Sequence, residues 1–73
     1  MTTISVRSEI RAAVLELGVS VGDAVAAGAE LLVLESMKTE IPVTAPQAGT
    51  VSEILVEVGG DVDEGQLLIT LTA

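Results

Sequence analysis

Apolar and polar residues alternate with a period near two along most of the chain, in short runs separated by glycine, which is the pattern of strands rather than helices. From Thr2 to Arg7, Ile4 and Val6 share one face and predict a short strand, and Ser8 to Arg11 predicts a turn. Val14-Leu15-Glu16-Leu17 and Val19 are β-branched or aliphatic, and Gly18 weakens a helical alternative, so a second strand is expected there. Val21-Gly22-Asp23 and Ala26-Ala27-Gly28 supply turn residues on either side of a bridge at Val25, and Leu31 to Leu34 reads as a buried strand. The order then returns. Ile41 and Val43 alternate, Pro46-Gln47-Ala48-Gly49 is a turn, and Val51 to Val58 reads as a strand whose imperfect alternation suits a position between two apolar layers. Gly59-Gly60-Asp61 and Asp63-Glu64-Gly65 are turns around a bridge at Val62, and Leu67 to Leu71 is a closing strand.

Slid along itself by 37 positions, the chain matches without a gap at twelve of 36 positions, where composition alone gives roughly two or three. Ile4 falls on Ile41, Val14 on Val51, Gly22 on Gly59, Gly28 on Gly65 and Leu34 on Leu71. Glycines and apolar positions match in register, so residues 1–36 and 38–73 read as two similar β units related by an approximate two-fold axis. Each is too small to bury its apolar face alone. Together they predict one all-β domain over residues 1–73, a flattened sandwich of short strands. The strand leaving Met1 should neighbour the strand reaching Ala73, with the Met37-Lys38 join projecting into solvent at the other end.

That join, Glu35-Ser36-Met37-Lys38-Thr39-Glu40, holds the only lysine in the chain. Tight hairpin tips favour Gly, Asn or Asp, because their central residues need positive φ. A tip built from Met and Lys breaks the local rule, and such places are where function is to be sought.

Composition removes many alternatives. A chain of 73 residues buries only about 60% of the surface it exposes when unfolded, so its stability margin is thin. With no cysteine and no histidine there is no disulfide framework, thiolate or imidazole, and with no aromatic residue there is no stacking platform for bases. The net charge of −8 repels phosphate backbones and anionic membranes, which argues against nucleic acid and membrane partners. Apolar runs stop well short of the roughly 20 residues of a membrane helix. Met1-Thr2-Thr3-Ile4-Ser5 lacks the basic flank and apolar stretch of a secretion signal, so a cytoplasmic location is expected. The glycine-containing segments Val21 to Leu34 and Val58 to Leu71 lack the Lys-Ser/Thr pair of a phosphate loop. Asp61, Asp63 and Glu64 lack the extended spacing of a calcium loop and read as a solvated acidic turn, with no metal expected. Glu53 and Glu57 read as solubilising surface carboxylates.

Glu35-Ser36-Met37-Lys38, followed by Ile41-Pro42-Val43, Ala45-Pro46, Gly49-Thr50-Val51, Val58-Gly59 and Gly65, resembles the biotinyl domain, or biotin carboxyl carrier domain, of the biotinyl/lipoyl attachment family. The resemblance covers nearly the whole chain. It implies a barrel-sandwich hybrid of two four-stranded antiparallel sheets with pseudo-two-fold symmetry. It also implies that a biotin protein ligase joins biotin as an amide to Lys38, with Glu35, Ser36, Met37 and Thr39 as the flanking residues of the cofactor site. The amine must be deprotonated to attack a biotinyl adenylate, whereas an ordinary lysine, with a pKa of about 10.4, is almost wholly protonated at neutral pH. Activation is therefore expected from the ligase, and the chain is expected to be a presented substrate rather than an enzyme. The resemblance further implies a biotin carboxylase that loads carboxylate onto the cofactor and a carboxyltransferase that passes it to an acceptor such as an acyl-CoA.

Three departures from the family pattern stand out. Thr39 occupies a place usually held by Met. Glu9 and Ala12 stand where the second copy has Pro46 and Gly49. There is no inserted thumb and no Ala/Pro-rich linker, which reads as a minimal, free-standing carrier subunit. The lipoyl carrier domain is similar in fold but usually has Asp immediately before its lysine, where Met37 stands here. An unmodified β-sandwich interaction module is a third reading, and it gives no reason for Lys38 at the tip.

Overall fold

A computed structural model describes residues 2–73. The chain forms β1 (Thr3–Arg7), β2 (Ala12–Leu17), β3 (Ala24–Val25), β4 (Glu30–Ser36), β5 (Thr39–Thr44), β6 (Gly49–Ile54), β7 (Asp61–Val62) and β8 (Leu67–Thr72). These build two four-stranded sheets, ordered β1-β8-β6-β3 and β5-β4-β2-β7, with every pairing antiparallel. The molecule measures 36 × 18 × 17 Å. The expected all-β, flattened barrel-sandwich hybrid is therefore the observed architecture. Among the described residues no helix is long and apolar enough to cross a membrane.

Among the described residues, the core cluster between the sheets is aliphatic. Val6, Val14, Leu31, Leu32, Leu34, Val51, Val62, Leu68, Ile69 and Leu71 are buried in one cluster, with Ile4, Leu17, Val19, Ile41, Val43 and Val56 packed against it. Branched aliphatics suit such a core because they fill a pleated, half-buried surface at low rotamer cost.

The repeat is visible in the hydrogen bonds. Gly22 N–H donates to the Val51 carbonyl at 2.8 Å, and Gly59 N–H donates to the Val14 carbonyl at 2.9 Å. Likewise Gly28 N–H donates to Ala45 and Gly65 N–H to Ser8, at 2.8 and 2.7 Å. All four glycines have positive φ, which explains their recurrence at matched positions. Each bond joins one copy to the other, and each sheet takes two strands from each copy. The copies are thus interlocked, and neither forms a sheet of its own.

The strand expected over Val51 to Val58 is shorter, because β6 ends at Ile54. Leu55 N–H still donates to the Leu68 carbonyl at 2.9 Å, but the chain must then cross to the other sheet so that Gly59 can reach Val14. Apolar character persists through the crossing because Val56 packs on the core. The first copy behaves alike: β2 runs from Ala12 to Leu17, Gly18 N–H donates to Leu31 at 2.9 Å, and Val19 lies beyond the strand while packing on the core. Gly49, expected in a turn, opens β6, where a Cβ would lie 2.9 Å from the Thr72 carbonyl oxygen.

The corner before β2, which has Glu9 in place of Pro46, is held by buried Ser8, whose Oγ accepts the Ile10 N–H at 3.3 Å and donates to the Ile10 carbonyl at 2.5 Å. β1 and β8 pair as expected, and beyond them Thr2 and Ala73 exchange backbone hydrogen bonds of 3.0 and 2.9 Å. Met1 lies outside the described residues. The 37-residue offset maps the Thr2/Ala73 pair onto the Thr39/Ser36 pair that closes the β4–β5 hairpin, so the two-fold exchanges the chain ends with the Met37-Lys38 tip.

Candidate attachment site at the β4–β5 hairpin

Pairing of Ser36 with Thr39 leaves two residues to turn the chain, Met37 at φ 50° and Lys38 at φ 65°. Two successive residues with positive φ mark the type I′ turn, whose twist matches that of the strands it joins. The left-handed conformation costs an L-residue with a Cβ roughly 1–2 kcal/mol. The arms of the hairpin hold it in place. β4 buries Leu31 through Leu34 and pairs with β5 from Glu30/Thr44 to Ser36/Thr39. Slipping the register by one residue to relax the tip would turn Leu32 and Leu34, which face the core, outward.

The tip itself is bare. Met37 is 95% exposed, and Lys38, Thr39, Glu35 and Glu40 are exposed while Ser36 is half-buried. Hydrophobic burial therefore cannot account for the methionine. Glu35 and Glu40 are direct cross-strand partners, an unfavourable like-charge arrangement. Among the described residues the ion pair within 4.0 Å is Arg11 with Asp63, at 3.8 Å on the surface, so the Lys38 amine has no carboxylate that close.

All five site residues expected from the sequence, Glu35, Ser36, Met37, Lys38 and Thr39, sit together at this one end of the hairpin. Beside them is a shallow groove of about 320 Å³ lined by Arg11, Ala12, Ala13, Glu35, Ser36, Met37 and Asp61. Arg11 and Asp61 had no signal in the sequence linking them to the tip. They arrive through sheet order, since β2 lies between β4 and β7. Chemically, the site offers one primary amine on a long, solvated stem, fixed at its base and free at its end. Such a group can be acylated by an external enzyme, since among the described residues no carboxylate lies within 4.0 Å of the amine.

The family model described as "biotin-requiring enzyme" matches residues 3–71. The chain is 49% identical over 67 residues to the biotinylated protein TB7.3 homolog of Mycobacterium leprae, covering 92% of this chain and 94% of that protein. It is 43% identical over 58 residues to the dihydrolipoyllysine-residue acetyltransferase component of the pyruvate dehydrogenase complex of Cupriavidus necator, covering 80% of this chain and 10% of that one. Its fold superposes on part of the Kluyveromyces lactis urea carboxylase crystal structure with a TM-score of 0.92 at 32% identity, covering 99% of this chain and 6% of that protein. The sequence match over residues 3–71 and the shared fold agree: the chain belongs to the biotin-requiring enzyme family.

Proposed function

We propose that this chain is a biotin carboxyl carrier whose cofactor is held as an amide on Lys38, and that a biotin protein ligase installs it. The observation that carries the reading is the only lysine of the chain standing, fully presented, at the second position of a strained two-residue turn. Acylation requires Lys38 Nζ to give up its proton, attack the acyl carbon of biotinyl adenylate and expel AMP. The tip supplies no base for this step, so the ligase must provide it, and the chain acts as substrate and not as catalyst.

When attached, biotin supplies a ring able to carry a carboxyl group between a biotin carboxylase and a carboxyltransferase. The contribution of the chain is effective concentration: a tether anchored on paired strands keeps its end within reach of two sites without release into bulk solvent. The urea carboxylase fold match supports a carboxylase setting. Met37 directly before the lysine favours biotin over lipoate, the cofactor of the acetyltransferase relative by its name.

Intact-mass measurement after incubation with biotin protein ligase, biotin and Mg-ATP tests the proposal. One biotinyl increment on the native chain and none on Lys38→Arg is expected. An increment that survives Lys38→Arg, or none on the native chain, rejects the site, and a lipoyl increment from a lipoate ligase in its place favours the rival cofactor.

A further inference from the structure

The two-fold provides an internal comparison between the outer faces of the two sheets. On the β5-β4-β2-β7 sheet, Val33 has Glu16 and Pro42 as cross-strand partners, and Leu15 occupies the bulge between Val14 and Glu16. The offset of 37 maps these residues onto Thr70, its partners Glu53 and Ser5, and Ser52 in the bulge between Val51 and Glu53. There the face is closed by hydroxyl chemistry: Ser52 Oγ donates to the Thr70 carbonyl at 3.0 Å and lies 2.8 Å from Thr70 Oγ1. Equivalent backbone positions are thus polar and mutually bonded on one face, and apolar on the other.

Val33 is only 7% exposed, yet it stands outside the central hydrophobic cluster. With Leu15, 37% exposed, and Val58, 59% exposed, it lines a surface groove of about 460 Å³ whose border includes Glu16 and Glu30. Along the same hairpin toward the tip come Glu35 and Glu40. The apolar strip therefore has an acidic border, and β4 and β5 carry both the strip and Lys38.

We propose that this face is the docking surface for the enzyme that acylates Lys38, and that the enzyme meets it with an apolar patch bordered by basic residues. The inference rests on the reading in which Lys38 is acylated. The acylating enzyme is the occupant because it encounters the chain before any arm exists. Enzymes acting later can take the end of a long arm with little contact to the domain. The first enzyme must place Nζ at its own acyl adenylate, and a solvated lysine gives it nothing to hold. Contact at Val33 and Leu15 fixes the strands that end in Met37-Lys38 and so fixes the amine. Carboxylates at Glu16, Glu30, Glu35 and Glu40, on a chain of net charge −8, select a basic border and exclude acidic competitors.

The symmetry also supplies the test. In Leu15→Ser/Val33→Thr the strip acquires the residues that the same backbone already carries at Ser52 and Thr70, including their hydroxyl pair. Ligation kinetics on the full chain with purified biotin protein ligase are expected to show KM raised about tenfold or more. Glu16→Gln is expected to raise KM several-fold at low salt, with the effect fading as salt screens it. Its symmetry mate on the hydroxyl face, Glu53→Gln, is expected to leave KM unchanged. Unchanged KM in both Leu15→Ser/Val33→Thr and Glu16→Gln overturns the docking face, as do equal effects of Glu16→Gln and Glu53→Gln. If circular dichroism shows the double variant unfolded, Leu15→Ser alone and the two glutamine variants decide. A native chain that takes no biotin at all overturns the proposed function instead, so the two failures are distinct.

Discussion

Met37 and Lys38 adopt backbone angles that most side chains avoid, and neither residue gains burial in return. A turn selected for stability alone would use Asn-Gly. Replacing Met37 by Asn keeps the left-handed geometry while relieving part of its cost, so Met37→Asn is expected to raise unfolding stability by about 0.5–1 kcal/mol. Urea denaturation checks this as a higher midpoint at unchanged slope, and a lower midpoint rejects the view that Met37 is strained. Ligation of the same variant is expected to slow, separating what the residue does for the fold from what it does at the site. The tip was legible in the sequence for a physical reason: the favoured two-residue hairpin turns demand positive φ, so a Met-Lys pair there carries a visible cost. Arg11 and Asp61 were not legible, because their nearness to the tip depends on which strands are neighbours.

Strands and turns were legible to the extent that they repeat. Glycines with positive φ fall at matched positions in both copies, and each fixes a turn whose N–H bonds the opposite copy. Self-similarity reveals that two units are alike, but it is silent on how they interlock, and alternation of apolar residues does not mark where Leu55 and Gly18 leave one sheet for the other. The outer-face contrast was hidden for the opposite reason. It lies in mismatches, Leu15 against Ser52 and Val33 against Thr70, which a search for matches discards. The corner before β2 shows how one copy manages without the proline of the other. Pro46 presets its backbone angle, whereas Ser8 ties its own Oγ to the Ile10 amide and carbonyl. Ser8→Ala is therefore expected to cost about 1–2 kcal/mol, through lost hydrogen bonds in a partly buried corner. A thermal shift of several degrees downward would be seen by calorimetry. No shift would mean that the backbone pairing of Ser8 with Gly65 and Gln66 is sufficient by itself.

For the molecule as a whole, the charge balance ties modification to an easily read property. Acylation of Lys38 removes one positive charge from a chain of net charge −8, so the modified form should migrate further toward the anode on a native gel. A streptavidin-reactive band with unaltered mobility would contradict amide formation on a lysine. The pairing of Thr2 with Ala73 carries a consequence of another kind. Antiparallel end strands loaded at their adjacent termini open like a zipper, one hydrogen-bonded pair after another, whereas strands dragged along their length must break several pairs at once. Tension between the two ends thus meets the zipper direction of β1 against β8, while tension between Lys38, at the opposite pole, and either end loads the strands along their length. The chain is thus expected to be mechanically anisotropic, and single-molecule pulling from Lys38 and one end should need a higher force than pulling the two ends apart.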